Sequence, residues 1–318
     1  MASYPHLLDI GIMGSCVHGK TGKCLQAGVQ CYQDGLHRSE PDMTIENFKR
    51  IIDESKGRLF QVALGGRGDP EMHEDFKTIV SYCRENEIVP NMTTSGFGLT
   101  EEKADIMKLY CGAVAVSWYR SSYTLEAIGL LLRKGVKTNI HYVLGNNSID
   151  EAYDMVKNGR IPRGVNRIIF LLHKPVGLGR QENVLKADDP KVKAFFALFN
   201  EDRYCDIAGF DSCCVPGIVN FAPEVHPDSI DTCEGARYSA YITPDMKMTP
   251  CSFDQELRWQ VDLNSHTIEE AWNTPTFNQF RSILSTSCPS CEKRRACLGG
   301  CPIKKEIVLC NDLQGVKM

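Results

Sequence analysis

The chain is 318 residues long, 42% hydrophobic and 24% charged, with a net charge of −4. That composition fits a folded soluble protein of one large domain, or one domain plus a small appendage, and excludes disordered, collagenous and coiled-coil classes. The mildly acidic balance leaves no basic excess for nucleic acid, and no apolar run reaches the roughly 18 residues a membrane helix needs. The N-terminal MASYPHLLDIGIMGS lacks a basic flank and is interrupted by Asp9. It does not read as a secretory signal, and a cytoplasmic protein is expected.

In chain order, LLDIGIMG from Leu7 predicts a first strand, followed by a glycine-rich stretch holding Cys16, Cys24 and Cys31. IENFKRIIDESKG has the spacing of an amphipathic helix, and RLFQVALGG from Arg58 reads as a second strand ending on glycines. The alternation continues with a helix in EDFKTIVSYCREN, a strand in IVPNMTTSG from Ile88 and a helix in EKADIMKLYCG. A strand in GAVAVSW from Gly112, a helix in TLEAIGLLLRKG, and strands in KTNIHYVLG from Lys137 and NRIIFLL from Asn166 complete the series. Six strands, each followed by a helix or loop, predict an α/β fold. The expectation is a parallel sheet closed into a full or partial (β/α)6 barrel over residues 1–200, with its site at the C-terminal strand ends. Residues 201–318 hold ten of the fifteen cysteines, which predicts a small cysteine-rich second domain.

Fifteen cysteines in a chain of this length without a secretory signal point to metal rather than to disulfides. Cys288, Cys291, Cys297 and Cys301 form C-x2-C-x5-C-x3-C, with Cys310 following, a spacing that reads as thiolate ligation. Four thiolates so spaced suit tetrahedral zinc as well as iron–sulfur, and sulfur ligands alone do not separate the two. At the front, three cysteines after the first strand leave a fourth metal position for an exogenous ligand. The alternative there is a zinc knuckle with His18 as fourth ligand. Glycines at 14, 19, 22 and 28 suit close approach of backbone to a ligand better than a tight knuckle.

Together these features resemble the radical S-adenosylmethionine (radical SAM) superfamily with a C-terminal SPASM-type domain, the extension that carries two auxiliary iron–sulfur clusters. The resemblance implies that Cys16, Cys24 and Cys31 hold a 4Fe–4S cluster whose open iron binds S-adenosylmethionine. Here C-x7-C-x6-C replaces the family's usual C-x3-C-x2-C. GGRGDP, with Gly65, Gly66, Gly68, Asp69 and Pro70, resembles the turn that receives the amino group of the methionine moiety, Asp69 standing where Glu is commoner. Ser95 and Gly96, after Thr94, lie where the family contacts the ribose. Ser117 and Arg120 lie where substrate or the methionine carboxylate is reached. Asn139, His141 and the segment from Pro175 to Arg180 would bound adenosine or substrate, although His141 reads equally well as a hydrogen-bonded barrel residue.

The tail fits the same pattern, with CEGARYSAYITPDMKMTPC running from Cys233 to Cys251 and Met246 near the usual turn glycine. By resemblance the first auxiliary cluster takes Cys213, Cys233, Cys251 and Cys301, with Cys213 preferred to Cys214 because the resembling proteins share GFDSC. The second takes Cys288, Cys291, Cys297 and Cys310. Cys83, Cys111, Cys205 and Cys214 are left as buried free thiols.

The resemblance therefore implies an enzyme with three 4Fe–4S clusters that cleaves S-adenosylmethionine to methionine and a 5′-deoxyadenosyl radical. The radical would abstract hydrogen from a peptide or protein side chain, and the auxiliary clusters would accept the remaining electron, giving a crosslink, a thioether or a carbonyl. A flavodoxin- or ferredoxin-type protein would donate the first electron. A small alcohol or sugar is the alternative substrate, and a non-catalytic zinc- or cluster-binding module is the alternative of another class. With the first strand at the start of the sequence, the leader-gripping winged-helix module of some relatives is not expected. The chain also lacks the aspartate base that sulfatase maturases place directly after the cysteine matching Cys251: Ser252 and Phe253 come before Asp254.

Overall fold

In the computed structural model, which describes residues 3–311, one ten-stranded sheet runs in the order β10-β9-β8-β1-β2-β3-β4-β5-β6-β7. The six expected strands are β1 (Leu7–Met13), β2 (Gln61–Gly66), β3 (Val89–Thr94), β4 (Val114–Ser117), β5 (Thr138–Leu144) and β6 (Arg167–Leu172), each parallel to the next. Burial alternates along β2, β3, β5 and β6, as expected when successive side chains point to opposite faces. Leu8, Ile10, Val62, Leu64, Met92, Val116, Ile140 and Phe170 are buried on the face toward the helices. The other face looks into the concave interior and carries the polar residues Asp9, Thr93, Ser117 and His141.

The four expected helices form at Ile45–Ser55, Phe76–Glu85, Glu101–Tyr110 and Ser122–Arg133. Hydroxyls cap three of their N-termini: Thr44, Thr100 and Ser121 accept from the backbone N–H groups of Asn47, Lys103 and Thr124. Each helix turns an apolar stripe to the sheet, as Phe48, Ile51 and Ile52 do on the first and Ala127, Ile128 and Leu131 on the fourth. The ends of the strand row do not pair with each other, so the barrel is partial, with its helices outside.

Four further strands continue the sheet. β7 (Ala208–Phe210) pairs in parallel with β6, past residue 200. β8 (Ser239–Ile242) pairs in parallel with β1, Leu7 opposite Ser239 and Ile10 opposite Ile242. The hairpin of β8 and β9 (Lys247–Thr249), extended by β10 (Val261–Asp262), is thereby an edge of the barrel sheet rather than a detached module. Its turn places Met246 in the left-handed region at φ 66°, where a glycine costs less. The pairing of β8 with β1 brings the cysteine-dense tail against the barrel mouth.

Candidate active site

The segment after β1 leaves the sheet through Gly14 and Ser15 and winds through two single-turn helices, Val17–Lys20 and Lys23–Gln26. These turns account for the stretched cysteine spacing: extra residues are coiled up between thiols that stay close together. Cys16 is the cap of the first turn, its sulfur accepting from the Gly19 N–H at 3.1 Å. Burial pushes the Cys16 thiol up to about 11, with Asp69, Cys31 and Cys24 adding to the effect through their charge. Cys24 is raised by burial and by Cys31, so the three thiols share one neighbourhood. His18 turns away from them. Its Nε2 lies 2.9 Å from the Tyr123 hydroxyl and its ring stacks on Phe97, while burial lowers its pKa to about 4 and keeps it neutral.

Backbone approach fixes this loop on the second strand's turn. A side chain at Gly68 would collide with the Ser15 carbonyl, and one at Gly66 would come within 2.8 Å of the Gly11 Cα. Arg67 ties the two together, donating to the carbonyls of Gln33 at 3.2 Å and Gly14 at 3.0 Å and pairing with Glu40. From the far side, Leu178 N–H donates to the Cys31 carbonyl at 2.9 Å and Arg180 N–H to Gln30 at 2.9 Å. Gly177, at φ 60°, sits where any side chain would strike the carbonyl of Tyr32. The PVGLGR segment therefore closes over the third cysteine.

Asp69 is buried and doubly held, accepting from the Ser95 N–H and the Ser95 hydroxyl, both at 2.6 Å. Glu71 beside it accepts from Thr94 through one carboxyl oxygen and leaves the other, buried, without a partner. Burial, then the Asp69 charge, pushes Glu71 up to about 8, so it is protonated near neutral pH. Gly65, Gly66, Gly68, Asp69, Pro70, Ser95 and Gly96 thus form one continuous polar shelf at the mouth. Ser117 also faces the interior, hydrogen-bonding Tyr119.

Arg120 does not join this shelf. Its guanidinium donates to Glu151 at 2.5 Å and to the Tyr142 hydroxyl at 3.0 Å, and Tyr142 is a core residue on the helix-facing side of β5. A left-handed backbone at φ 57° turns the residue outward. Asn139 is likewise elsewhere, near the start of β5, where it accepts from Asn166. His141 does face inward, 3.3 Å from the Thr93 hydroxyl, and burial lowers its pKa to about 4.

The front thiol loop meets the wall of a chamber in the tail. Tyr32, next to Cys31, packs its ring 4.2 Å from Phe253. Phe253, Tyr241, Asp9 and Lys174 line a cavity of about 140 Å³ together with Cys213, Cys233, Cys251 and Cys301. Asp9 has no hydrogen bond or ion pair among the described residues, and burial pushes its carboxyl up to about 7. A carboxyl titrating there is suited to exchanging a proton at neutral pH. Lys174 pairs with Asp211 at 2.9 Å.

A second cavity of about 30 Å³ is lined by Cys288, Cys291, Cys297 and Cys310, with Lys293 and Arg294 at its edge. Burial raises Cys233 to about 12, and a hydrogen bond with Cys301 holds the Cys213 thiol well up. Thiols ringing a void in this way have the chemistry of a ligand set for a metal–sulfur centre, in which coordination removes the proton outright. Among the described residues no group of histidine, cysteine or carboxylate side chains is arranged as a single-ion site. Cys214 points elsewhere, its sulfur donating to the Phe170 carbonyl at 3.7 Å. Cys83 is buried and Cys111 half-buried, both with pKa values pushed up to about 12 by burial, and the half-buried Cys205 donates to the Phe199 carbonyl.

Arg67, Glu71 and the Lys174–Asp211 pair were not picked out from the sequence. Arg67 stands inside GGRGDP, and Lys174 follows an apolar strand directly; a charge in either setting is a usable signal.

Residues 233–297 match the SPASM iron–sulfur cluster-binding domain. The chain is 24% identical over 267 residues to the PqqA peptide cyclase of Methylocella silvestris, spanning 74% of this chain and 67% of that protein. Streptococcus suis SuiB bound to S-adenosylmethionine superposes with a TM-score of 0.70 at 16% identity, over 98% of this chain and 77% of that one. The anSMEcpe structure with bound AdoMet superposes at 0.65 and 17% identity, over 93% and 86% of the two chains.

Proposed function

We propose that this chain, a radical S-adenosylmethionine enzyme with a C-terminal SPASM domain, oxidises a side chain of a peptide or protein. The observation that carries the reading is the contact of the front thiol loop with the wall of the chamber that holds the first tail thiol set, Tyr32 packing on Phe253. Cys16, Cys24 and Cys31 would hold the cluster that binds S-adenosylmethionine. Cys213, Cys233, Cys251 and Cys301 would hold a second cluster, and Cys288, Cys291, Cys297 and Cys310 a third, from residue 201 onward. With S-adenosylmethionine bound, the first cluster supplies a 5′-deoxyadenosyl radical, and the auxiliary clusters supply somewhere for an electron to go.

The chain's own residues do the rest. The shelf from Gly65 to Pro70, with Asp69 locked by Ser95, would hold the methionine end through backbone and carboxyl groups, and Ser95 and Gly96 would hold the ribose. PVGLGR closes the mouth over Cys31, and the aromatic walls exclude water, which protects a reactive intermediate. Asp9 faces the chamber and can take the proton released when a substrate side chain loses two electrons in all. A crosslink, a thioether or a carbonyl is the expected product. The first electron would come from a flavodoxin- or ferredoxin-type donor in the cytoplasm; no described helix is long and apolar enough to cross a membrane.

Support for a peptide substrate comes from the cyclase relative, which is named for acting on a peptide, and from SuiB, which has also been solved bound to the precursor peptide SuiA. The test is anaerobic incubation of reconstituted enzyme, S-adenosylmethionine and reductant with short peptides encoded beside its gene. Loss of two hydrogens from one peptide, matched by 5′-deoxyadenosine, is expected. Dehydrogenation of a small alcohol or sugar with every peptide left unchanged would replace this reading.

A further inference from the structure

Of the residues lining the larger tail cavity, Lys174 alone carries a positive charge. Its side chain is 2% exposed, and Nζ donates to Asp211 Oδ2 and to the Leu172 carbonyl, each at 2.9 Å. The ammonium also lies 4.1 Å from the centre of the Phe253 ring. Burial works against its charge, but Asp211 and the sulfurs of Cys213 and Cys301 hold it protonated.

Burying a lysine is costly and is tolerated here only because it is fully partnered. Its counter-ion is shared. Asp211 spends its carboxylate on the N–H groups of Leu172 and Cys214 as well as on Lys174. Lys174 and the four thiols line the same cavity. In a low-dielectric pocket, a charge this close acts strongly on any centre whose own charge changes, and iron–sulfur potentials follow such charges.

We infer that Lys174 is a tuning residue that raises the reduction potential of the centre held by Cys213, Cys233, Cys251 and Cys301, making it the chain's preferred electron acceptor. The inference rests on the cluster assignment proposed above. The event it biases is a one-electron reduction: the centre gains an electron, and the oxidised substrate, or dithionite in the assay, loses one. Lys174 is already an ammonium and exchanges no proton.

The test is a redox titration followed by electron paramagnetic resonance, on reconstituted protein in which Cys16, Cys24 and Cys31 are alanine, so that only the tail centres report. Lys174→Met should lower one midpoint, cutting the reduced-to-oxidised ratio at fixed potential by about tenfold or more, and leave the other in place. Lys174→Arg should restore it. Because Lys174→Met leaves Asp211 buried and unpaired, Lys174→Met/Asp211→Asn is measured beside it and should show a smaller drop of the same sign. Unchanged midpoints at full iron content would overturn the role of Lys174 while leaving the cluster assignment standing. Parent protein with no reducible centre at these four cysteines would overturn both.

Discussion

Replacing Asp9 with asparagine removes a charge that the fold buries without a partner, while keeping the shape of the side chain. Burial moves the Asp9 carboxyl from 3.8 to about 7, so the folded state holds a proton that the unfolded chain gives up several pH units earlier. At about 1.36 kcal/mol per pH unit this difference is worth about 4 kcal/mol. The sign is set by the raised value. Below about pH 4 both states are protonated and no penalty exists; as pH rises to about 7 the unfolded chain ionises first and stability falls; above that the full penalty stays. Asp9→Asn should therefore match the parent in acid and exceed it at pH 8 by up to about 4 kcal/mol, an upper bound. Anaerobic thermal unfolding of cluster-loaded protein measures this, with about half of the gain expected at pH 5.5 and all of it at pH 8. A variant less stable than the parent at pH 8 would mean that the carboxylate is paired or hydrogen-bonded in the folded protein, and the reading of Asp9 as an open, chamber-facing group would fall.

Gly177→Ala should reduce S-adenosylmethionine cleavage at least about tenfold while leaving tail iron intact, because the added methyl strikes the Tyr32 carbonyl and the residue must hold φ 60°; iron analysis and 5′-deoxyadenosine assays decide it. Arg120→Ala should leave the affinity for S-adenosylmethionine within about twofold, since its partners are Glu151 and Tyr142, whereas a tenfold loss in equilibrium binding would return it to the cofactor site. Cys291→Ala should still cleave S-adenosylmethionine but fail to complete substrate oxidation; a folded variant that keeps roughly eight iron atoms and makes full product would show that the exposed tail centre is structural.

The parallel strands were legible because their apolar runs are bounded by glycines and alternate with amphipathic helices, and burial of one face then follows. β7 was not, since three residues ending in GF carry no period. Nor was the pairing of β8 with β1, which joins Leu7 to Ser239 across more than two hundred residues and follows no local signal. The thiol sets could be grouped by motif order, and the two tail sets line separate cavities. Arg120 was assigned by strand position, which does not say which way a left-handed residue turns its side chain, here toward Glu151 and Tyr142. Asp9 stood out only as a break in an apolar strand, and its meaning depends on Tyr241 and Gly65 leaving it a walled space. Lys174 required knowing that Asp211 lies beside it.

Three separate thiol sets are proposed each to hold a cluster in one chain. Iron and sulfide analysis of anaerobically reconstituted protein tests it most directly, run on the parent and on the variant with Cys16, Cys24 and Cys31 replaced by alanine. The account predicts roughly 12 iron atoms per chain in the parent, and roughly eight with no cleavage of S-adenosylmethionine in the variant. A parent that saturates at about four iron atoms, or binds zinc in their place, would contradict it.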